Sequence, residues 1–360
     1  MSKLDVVVGG QFGSEAKGAV CARLVRLSLR RGLPANYIYV VRVAGHNAGH
    51  TAYDEQGRPW ALRTIPVAAV VDPEVQLVIA AGSEVNPDVL MDEITRLEEG
   101  GIPIRGRLLV DRAATWLDED HIATETGLQM HEKTGSTGKG VGAARAARAM
   151  RKARTIGEWA DLPQWCVPTN DTAGMLNNLH FGSHVLLEGT QGYGLGLHTK
   201  YYPLVTSSNC RAIDFLAMAG VDPTGFDKYN VWVTLRRYPI RVAGPSGELV
   251  GETTWEGLGL PAEKTTVTKK VRRVGEWDPE LANAAVQANG GSRVVKVAYT
   301  MADQSQPVLA GLDGSMFGDI GLTVAQERAI SEEIARVEGA TGLRPSLIGT
   351  GPNTMIEVSP

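Results

Sequence analysis

The sequence predicts an α/β fold: a central, mostly parallel sheet with flanking helices and extended loop excursions. Three observations carry that prediction. Short β-rich apolar runs recur at residues 4–8, 75–81, 107–110, 185–188, 231–235 and 293–299. Helical patterns stand between several of them, and strand–helix–strand alternation favours parallel pairing. The first run passes through a glycine turn holding a lysine straight into a helical pattern.

That first stretch is LDVVVGGQFGSEAKG, residues 4–18. Leu4, Val6, Val7 and Val8 read as a strand. Gly9, Gly10, Gly13, Ser14, Glu15, Ala16, Lys17 and Gly18 form the turn. Residues 19–29 read as a helix, with Val20, Leu24 and Leu27 apolar and Arg23, Arg26 and Arg30 basic. Backbone N–H groups and the positive helix end of such a unit can cradle a phosphate. The stretch is close to a P-loop without matching it. Gly18 follows Lys17 where Ser or Thr belongs, and Ala16 stands where the second glycine belongs. An ordinary strand-to-helix turn has the same local pattern.

The remaining elements follow in order. Residues 35–43 read as a second strand and lead into RVAGHNAGHT, where Gly45, His46, Asn47, Gly49 and His50 cluster. Glycines allow close backbone approach and histidine handles protons near neutral pH; a solvated loop is the plainer alternative. A turn at 53–58 and a strand at 60–65 come next. Residues 75–81 form a buried strand. Asn86-Pro87-Asp88 opens a helix to about Glu99, with Leu90, Ile94 and Leu97 on one face and Gly100-Gly101 at its end. Residues 107–110 are a further strand. The segment 131–142, HEKTGSTGKGVG, can wrap a phosphate or form a surface loop. An Arg-rich helical segment follows, with Arg145, Arg148, Arg151, Lys152 and Arg154, most of it a solvated face, with one or two arginines free to reach an anion or a partner subunit.

Residues 185–188 lead as a strand into Gly189-Thr190-Gln191-Gly192. Thr206-Ser207-Ser208-Asn209 suits a phosphate or base edge, or caps a helix starting near Arg211. Residues 231–235 and 239–242 read as strands. EKTTVTKKVRR, at 263–273, has no helical stripe and holds five cations. It is either a solvated run or a clamp for an anionic substrate. Residues 293–299 are another strand, with Thr300-Met301-Ala302-Asp303 at its carboxyl end, where open α/β sheets bind ligands. Residues 324–338 form an amphipathic helix with Ile330, Ile334 and Val337 on one face. Residues 347–350 are a last short strand before Gly351-Pro352-Asn353.

Bulk properties narrow the function. The 360 residues carry 36 basic and 40 acidic side chains, a net charge of −4, so any anion site must be built locally. That balance argues against nucleic acid and membrane as partners. Three separated cysteines, Cys21, Cys166 and Cys210, suggest reduced thiols. The amino terminus enters a strand with no signal-peptide pattern, and no uninterrupted apolar run approaches ~20 residues. The expectation is a cytoplasmic protein.

Taken together, the loops resemble the adenylosuccinate synthetase family. Its opening GxQWGDEGKG corresponds to GQFGSEAKG at 10–18, its GGHNAGHT to AGHNAGHT at 44–51, and its GTTGRGIGP to GSTGKGVGA at 135–143. Its EGAQG is EGTQG at 188–192, its YPYVTSSN is YPLVTSSN at 202–209, and its STGP is GTGP at 349–352. The matches are in order and span nearly the whole chain. The resemblance implies one domain, 1–360, with excursions at about 112–182 and 245–280. It also implies an Mg²⁺-dependent carbon–nitrogen ligase that phosphorylates a purine 6-oxo group and then displaces the phosphate with aspartate.

By position, the family's triphosphate site falls on Gly13, Ser14, Glu15, Ala16, Lys17, Gly18, Gly49, His50, Thr51, Arg272, Asp303, Gly351 and Pro352. Lys17 and the neighbouring amides would hold the transferred phosphoryl group, and His50 would donate to the 6-oxygen. Mg²⁺ would meet the Gly49 carbonyl and position 14. The purine monophosphate would meet Ser14, Asn47, Ser136, Thr137, Gln191, Thr206 and Lys270, with Arg151 reaching in from the partner of a homodimer. Aspartate would meet Thr266, Val267, Thr268, Lys270 and Arg272.

Three departures redirect the substrate. Ser14 replaces an aspartate that in the family acts as base toward purine N1–H and binds Mg²⁺. Serine is a poor base at neutral pH without a partner. Guanine carries a 2-amino group beside N1, which a carboxylate crowds and a hydroxyl can accommodate. This pattern resembles the bacteriophage 2-aminoadenylosuccinate synthetases, which act on dGMP. Met301 replaces the lysine that covers the guanine of GTP, which implies ATP or dATP as donor. Lys270 replaces an arginine that touches the ribose, which suits a deoxynucleotide. An enzyme acting on IMP with GTP, and a catalytically inactive nucleotide sensor, are the alternatives.

Overall fold

Lys3–Gly9 is the middle of an eleven-stranded sheet and is buried on both faces, which is why it reads as a nearly continuous apolar run. The computed structural model describes all residues except 160–166, 180–181, 266–269, 317–319 and 359–360. Across the sheet the order is Gly314–Ser315, Met355–Glu357, Pro345–Gly349, Val295–Thr300, Lys228–Arg236, Lys3–Gly9, His184–Glu188, Ile38–Arg42, Gln76–Ile79, Leu108–Asp111 and Val167–Thr169. Every pairing is parallel except that of Pro345–Gly349 with Met355–Glu357. Val6 lies opposite Leu187 on one side and Val231 on the other. The predicted α/β architecture is therefore the observed one.

Helices cover both faces. Lys17–Arg30 and Pro87–Glu99 pack on one, and Ala212–Ala219, Pro279–Ala288 and Val324–Thr341 on the other. Pro87–Glu99 starts as predicted: the Asn86 side chain accepts from the Val89 N–H at 3.0 Å and Pro87 occupies the first turn. Leu90, Ile94 and Leu97 are fully buried against the sheet. Val324–Thr341 carries a Thr323/Gln326 capping box and buries Ile330, Ile334 and Val337.

Several boundaries differ from expectation. The Arg-rich helix ends at Ala149, and Arg145 is an ion pair with Glu84 at 2.8 Å instead of part of a solvated face. The strand expected at 239–242 shrinks to Ile240–Arg241, paired with Arg273–Val274. Part of the 131–142 loop is a short helix, Met130–Thr134. Thr206–Asn209 does not cap the next helix. Ala212 N–H donates to the Asn289 side chain and Arg211 N–H to Asp214. Asn289 is 77 positions from Ala212, so nothing local pointed to it, whereas Asp214 caps from three residues on.

Because the sheet is parallel around its centre, the loops after Gly9, Arg42, Glu188, Arg236, Thr300 and Gly349 all leave the same edge. These include most of the glycine-rich and polar turns singled out above.

Candidate active site

The turn after Lys3–Gly9 is held from within. Gly13, Ser14 and Ala16 adopt left-handed backbone, with φ of 92°, 60° and 58°. The fully buried Glu15 carboxylate accepts from the N–H groups of Gln11 at 3.1 Å and Gly13 at 2.7 Å, and pairs with Lys17 Nζ at 2.7 Å. Both oxygens of Glu15 are thus committed inside the loop. Lys17 has three donors, so it can keep Glu15 and still offer N–H to an anion. Ser14 is exposed at the rim, where its Oγ accepts from Arg272 Nη1 and its carbonyl from Arg236 Nη1 at 3.2 Å.

Glycines let the neighbouring loops close on this turn. A Cβ at Gly9 would lie 2.4 Å from the Gln191 carbonyl, and one at Gly18 would lie 2.8 Å from Thr51 O and 2.9 Å from His50 Cβ. The helix start therefore touches the His50–Tyr53 strand backbone directly. Thr300 Oγ1 donates to Glu15 O at 3.3 Å, which ties the turn ending in Asp303 to the same loop. Gly349 packs on Thr300 and Met301, bringing Gly351 and Pro352 beside that turn. Gly142 lies against Ser207, and Thr206 N–H donates to Leu195 O at 2.8 Å, so the 136–142 and 206–209 loops meet.

His50 sits in a buried charged cluster. Its Nδ1 lies 2.6 Å from Glu188 Oε1, and Arg42 Nη1 contacts the same oxygen. Glu188 Oε2 accepts from Val67 N–H at 2.9 Å, and Arg42 Nη2 donates to Ala48 O at 2.7 Å. Nδ1 thus stands between the Glu188 carboxylate, which only accepts, and Arg42 Nη1 at 2.9 Å, which only donates. Burial and the Arg42 charge push the His50 pKa down to about 4. Burial raises and the Arg42 charge lowers the Glu188 pKa, with a net downward shift. At neutral pH the imidazole is therefore uncharged.

Residues 263–265 and 270–272 lie antiparallel, with Lys264 opposite Val271. Arg272 N–H donates to Glu263 O at 2.8 Å and Thr265 N–H to Lys270 O at 2.9 Å. Lys270 Nζ reaches His131 Nε2 at 3.1 Å, linking the 270–272 stretch to the 131–136 segment. Thr266, Val267 and Thr268 lie outside the described residues. Asn47, Gly49, Ser136, Thr137, Gln191, Thr206 and Asp303 are half-buried, and burial raises the Asp303 pKa. Arg151 stands exposed beyond the helix ending at Ala149, with φ of 60°. Sequence reasoning missed Arg42, Glu188, Arg236 and Glu263 as site residues. The signal for Glu188 was present in EGTQG, where a carboxylate ends an apolar strand.

His46 is buried, and its Nδ1 has no hydrogen-bond partner. Burial, with Arg63 and Lys139 nearby, pushes its pKa down to about 4. The unfolded chain therefore binds the extra proton between about pH 6.5 and 4, so this contribution to stability is complete above pH 6.5 and is lost as pH falls. Urea unfolding at pH 5 is expected to lose on the order of 2 kcal/mol relative to pH 7 from this ring, a difference absent in His46→Asn.

Comparison with known proteins adds the following. A family model described as adenylosuccinate synthetase matches residues 6–166 and 166–308. The adenylosuccinate synthetase of Thermococcus sibiricus is 33% identical over 350 residues, covering 96% of this chain and 95% of that one. That of Pyrococcus horikoshii is 34% identical over 355 residues, covering 96% and 95%. Among solved structures, the cyanophage S-2L succinoaminodeoxyadenylate synthetase (PurZ), bound to dGMP and dATP as an energy donor, superposes with a TM-score of 0.80 at 25% identity, covering 100% of this chain and 96% of that one. The fully ligated Plasmodium falciparum adenylosuccinate synthetase gives a TM-score of 0.75 at 20% identity, covering 99% of each chain, a likeness of fold alone.

Proposed function

We propose, for a chain that belongs to the adenylosuccinate synthetase family and is therefore an aspartate-joining carbon–nitrogen ligase, that its purine substrate is dGMP and its phosphate donor ATP or dATP. The reaction is dGMP + L-aspartate + ATP → N6-succino-2-amino-2′-deoxyadenylate + ADP + phosphate. One observation supports this reading above the others. The phosphate loop offers a hydroxyl at Ser14 and no free carboxylate, because Glu15 is committed to Gln11, Gly13 and Lys17. A purine with a 2-amino group beside N1 fits such a rim, and hypoxanthine gains nothing from it. The likeness to a relative bound to dGMP and dATP points the same way.

In this reading Lys17 and the amides of Gly13–Gly18 hold the transferred phosphoryl group. Protonated His50, backed by Glu188, balances charge on the 6-oxygen. Asn47, Ser136, Thr137, Gln191, Thr206 and Lys270 orient the monophosphate, and Thr266, Val267, Thr268, Lys270 and Arg272 receive aspartate. The amine then attacks C6 and phosphate leaves. Positioning two nucleotides and an amino acid together supplies much of the rate. The family's magnesium ion would be held by neutral oxygens, Ser14 Oγ, once Arg272 releases it, and the Gly49 carbonyl. It would supply charge neutralisation of the triphosphate. Arg151 belongs to the site of a partner subunit in a homodimer.

The test crosses dGMP, GMP and IMP against ATP, dATP and GTP, with aspartate, and measures phosphate release. The expected result is turnover with dGMP and an adenine donor. Turnover with IMP alone overturns the substrate assignment. Binding without turnover in every combination supports a nucleotide sensor instead.

A further inference from the structure

A single carboxylate clips both ends of the turn that follows the Val295–Thr300 strand. Glu333, on the Val324–Thr341 helix, is fully buried. Its Oε2 accepts from the Tyr299 hydroxyl at 2.7 Å and from Arg336 Nε at 3.0 Å. Its Oε1 accepts from Ser305 Oγ at 2.9 Å. Tyr299 lies just ahead of the turn, and Ser305 closes its Ala302–Gln304 helical step. The Ser305 hydroxyl has one proton to give, and the Ala302 carbonyl at 3.2 Å is the longer and weaker acceptor. The bond therefore runs to the helix behind the turn.

The clipped segment borders the phosphate loop. Thr300 Oγ1 donates to Glu15 O, and Gly349 packs on Thr300 and Met301. Met301 has φ of 61°, a left-handed backbone that a long side chain holds only where its surroundings impose it. Asp303 then presents a half-buried carboxyl at the carboxyl end of a parallel strand, where open sheets take ligands. A strained turn whose two ends are tied to one buried group keeps its shape only while that group stays in place.

We propose that Glu333 is a positioning residue for the phosphate donor. It fixes the 300–305 turn from behind, so that Asp303 meets the base of the nucleotide whose phosphates the Lys17 loop holds. Being fully buried, it acts through the turn and not by touching the ligand. The identity of the ligand rests on the function proposed above; the clip itself rests on the Tyr299–Glu333–Ser305 connection.

Kinetics with each substrate varied in turn separate this role from a general loss of stability. Glu333→Gln keeps the size of the side chain and loses its charge. It is expected to raise the donor KM at least about tenfold, with kcat and the KM values for the purine monophosphate and aspartate within about threefold. Ser305→Ala removes only the limb on the turn and is expected to raise the donor KM at least about threefold. Val337→Ala is the control, a fully buried position on the same helix outside this network; it is expected to destabilise the fold and leave the donor KM within about twofold. A donor KM within about twofold of wild type in either test variant overturns the proposal. So do three KM values rising together, or Val337→Ala raising the donor KM as far as Glu333→Gln does. Should Glu333→Gln not fold, Ser305→Ala decides alone. Turnover with GTP alone sinks the adenine donor, and the donor KM, then read with GTP, still decides the positioning. Where the wild type binds a triphosphate without turnover, its Kd takes the place of KM. A wild type that binds neither ATP nor GTP sinks both the positioning and the proposed function.

Discussion

Replacing His50 with asparagine is expected to lower kcat by about two to three orders of magnitude, with little change in the KM for either nucleotide. The physical case is the arrangement of charge around the ring. Glu188 lies against Nδ1, and burial with Arg42 keeps the ring neutral at pH 7. In the proposed reaction the ring would gain its charge only as the phosphorylated intermediate develops. Its stabilisation then belongs to the transition state, which is the kind that raises kcat. Glu188→Gln tests the same point from behind. It leaves His50 in place but deprives both it and Arg42 of their counter-charge. It is expected to reduce kcat by about tenfold or more, and to destabilise the fold by about 3–5 kcal/mol because Arg42 is left buried and unpaired. Steady-state kinetics and urea unfolding read the two effects separately. An unchanged kcat in His50→Asn removes the ring from the chemistry.

The second large effect is at Ser14. Ser14→Asp is expected to reduce kcat/KM for dGMP at least about a hundredfold and to raise that for IMP. Two forces act together. A carboxylate crowds the 2-amino group, and it also captures Arg272, whose guanidinium already touches the serine hydroxyl. The backbone does not oppose the change, since position 14 has φ of 60° and aspartate tolerates that region better than most residues. The two forces separate kinetically: crowding raises the KM for dGMP, whereas capture of Arg272 raises the KM for aspartate. Unchanged dGMP kinetics would remove the steric argument for the substrate.

Much of the fold was legible because its local signals agreed with its packing. Asn86-Pro87 followed by Leu90, Ile94 and Leu97 states a helix start and a buried face in one short run, and the structure shows both. Lys3–Gly9 was legible for the opposite reason, since a central parallel strand is apolar on both faces. Gly314–Ser315 and Met355–Glu357 were not legible. Strands of two and three residues are too short to display alternation. Within the site, glycines and small polar residues marked the loops, but the groups that hold those loops did not stand out. Arg42 and Glu188 are 146 positions apart, and Arg236 and Glu263 are 27 apart. Each reads locally as a charge at a strand end or in a basic run; strand order brings Arg42 to Glu188, and the chain's return past Arg236 brings Glu263 to it.

The contact at Gly18 has one more implication. Because helix start and His50 strand meet main chain to main chain, the spacing between Lys17 and the His50 ring is set by backbone, with no side chain as spacer. Rim residues such as Ser14 can then be exchanged without disturbing that spacing. If the proposed dGMP assignment holds, such a scaffold would let the accepted base change at the rim while the chemical step is kept.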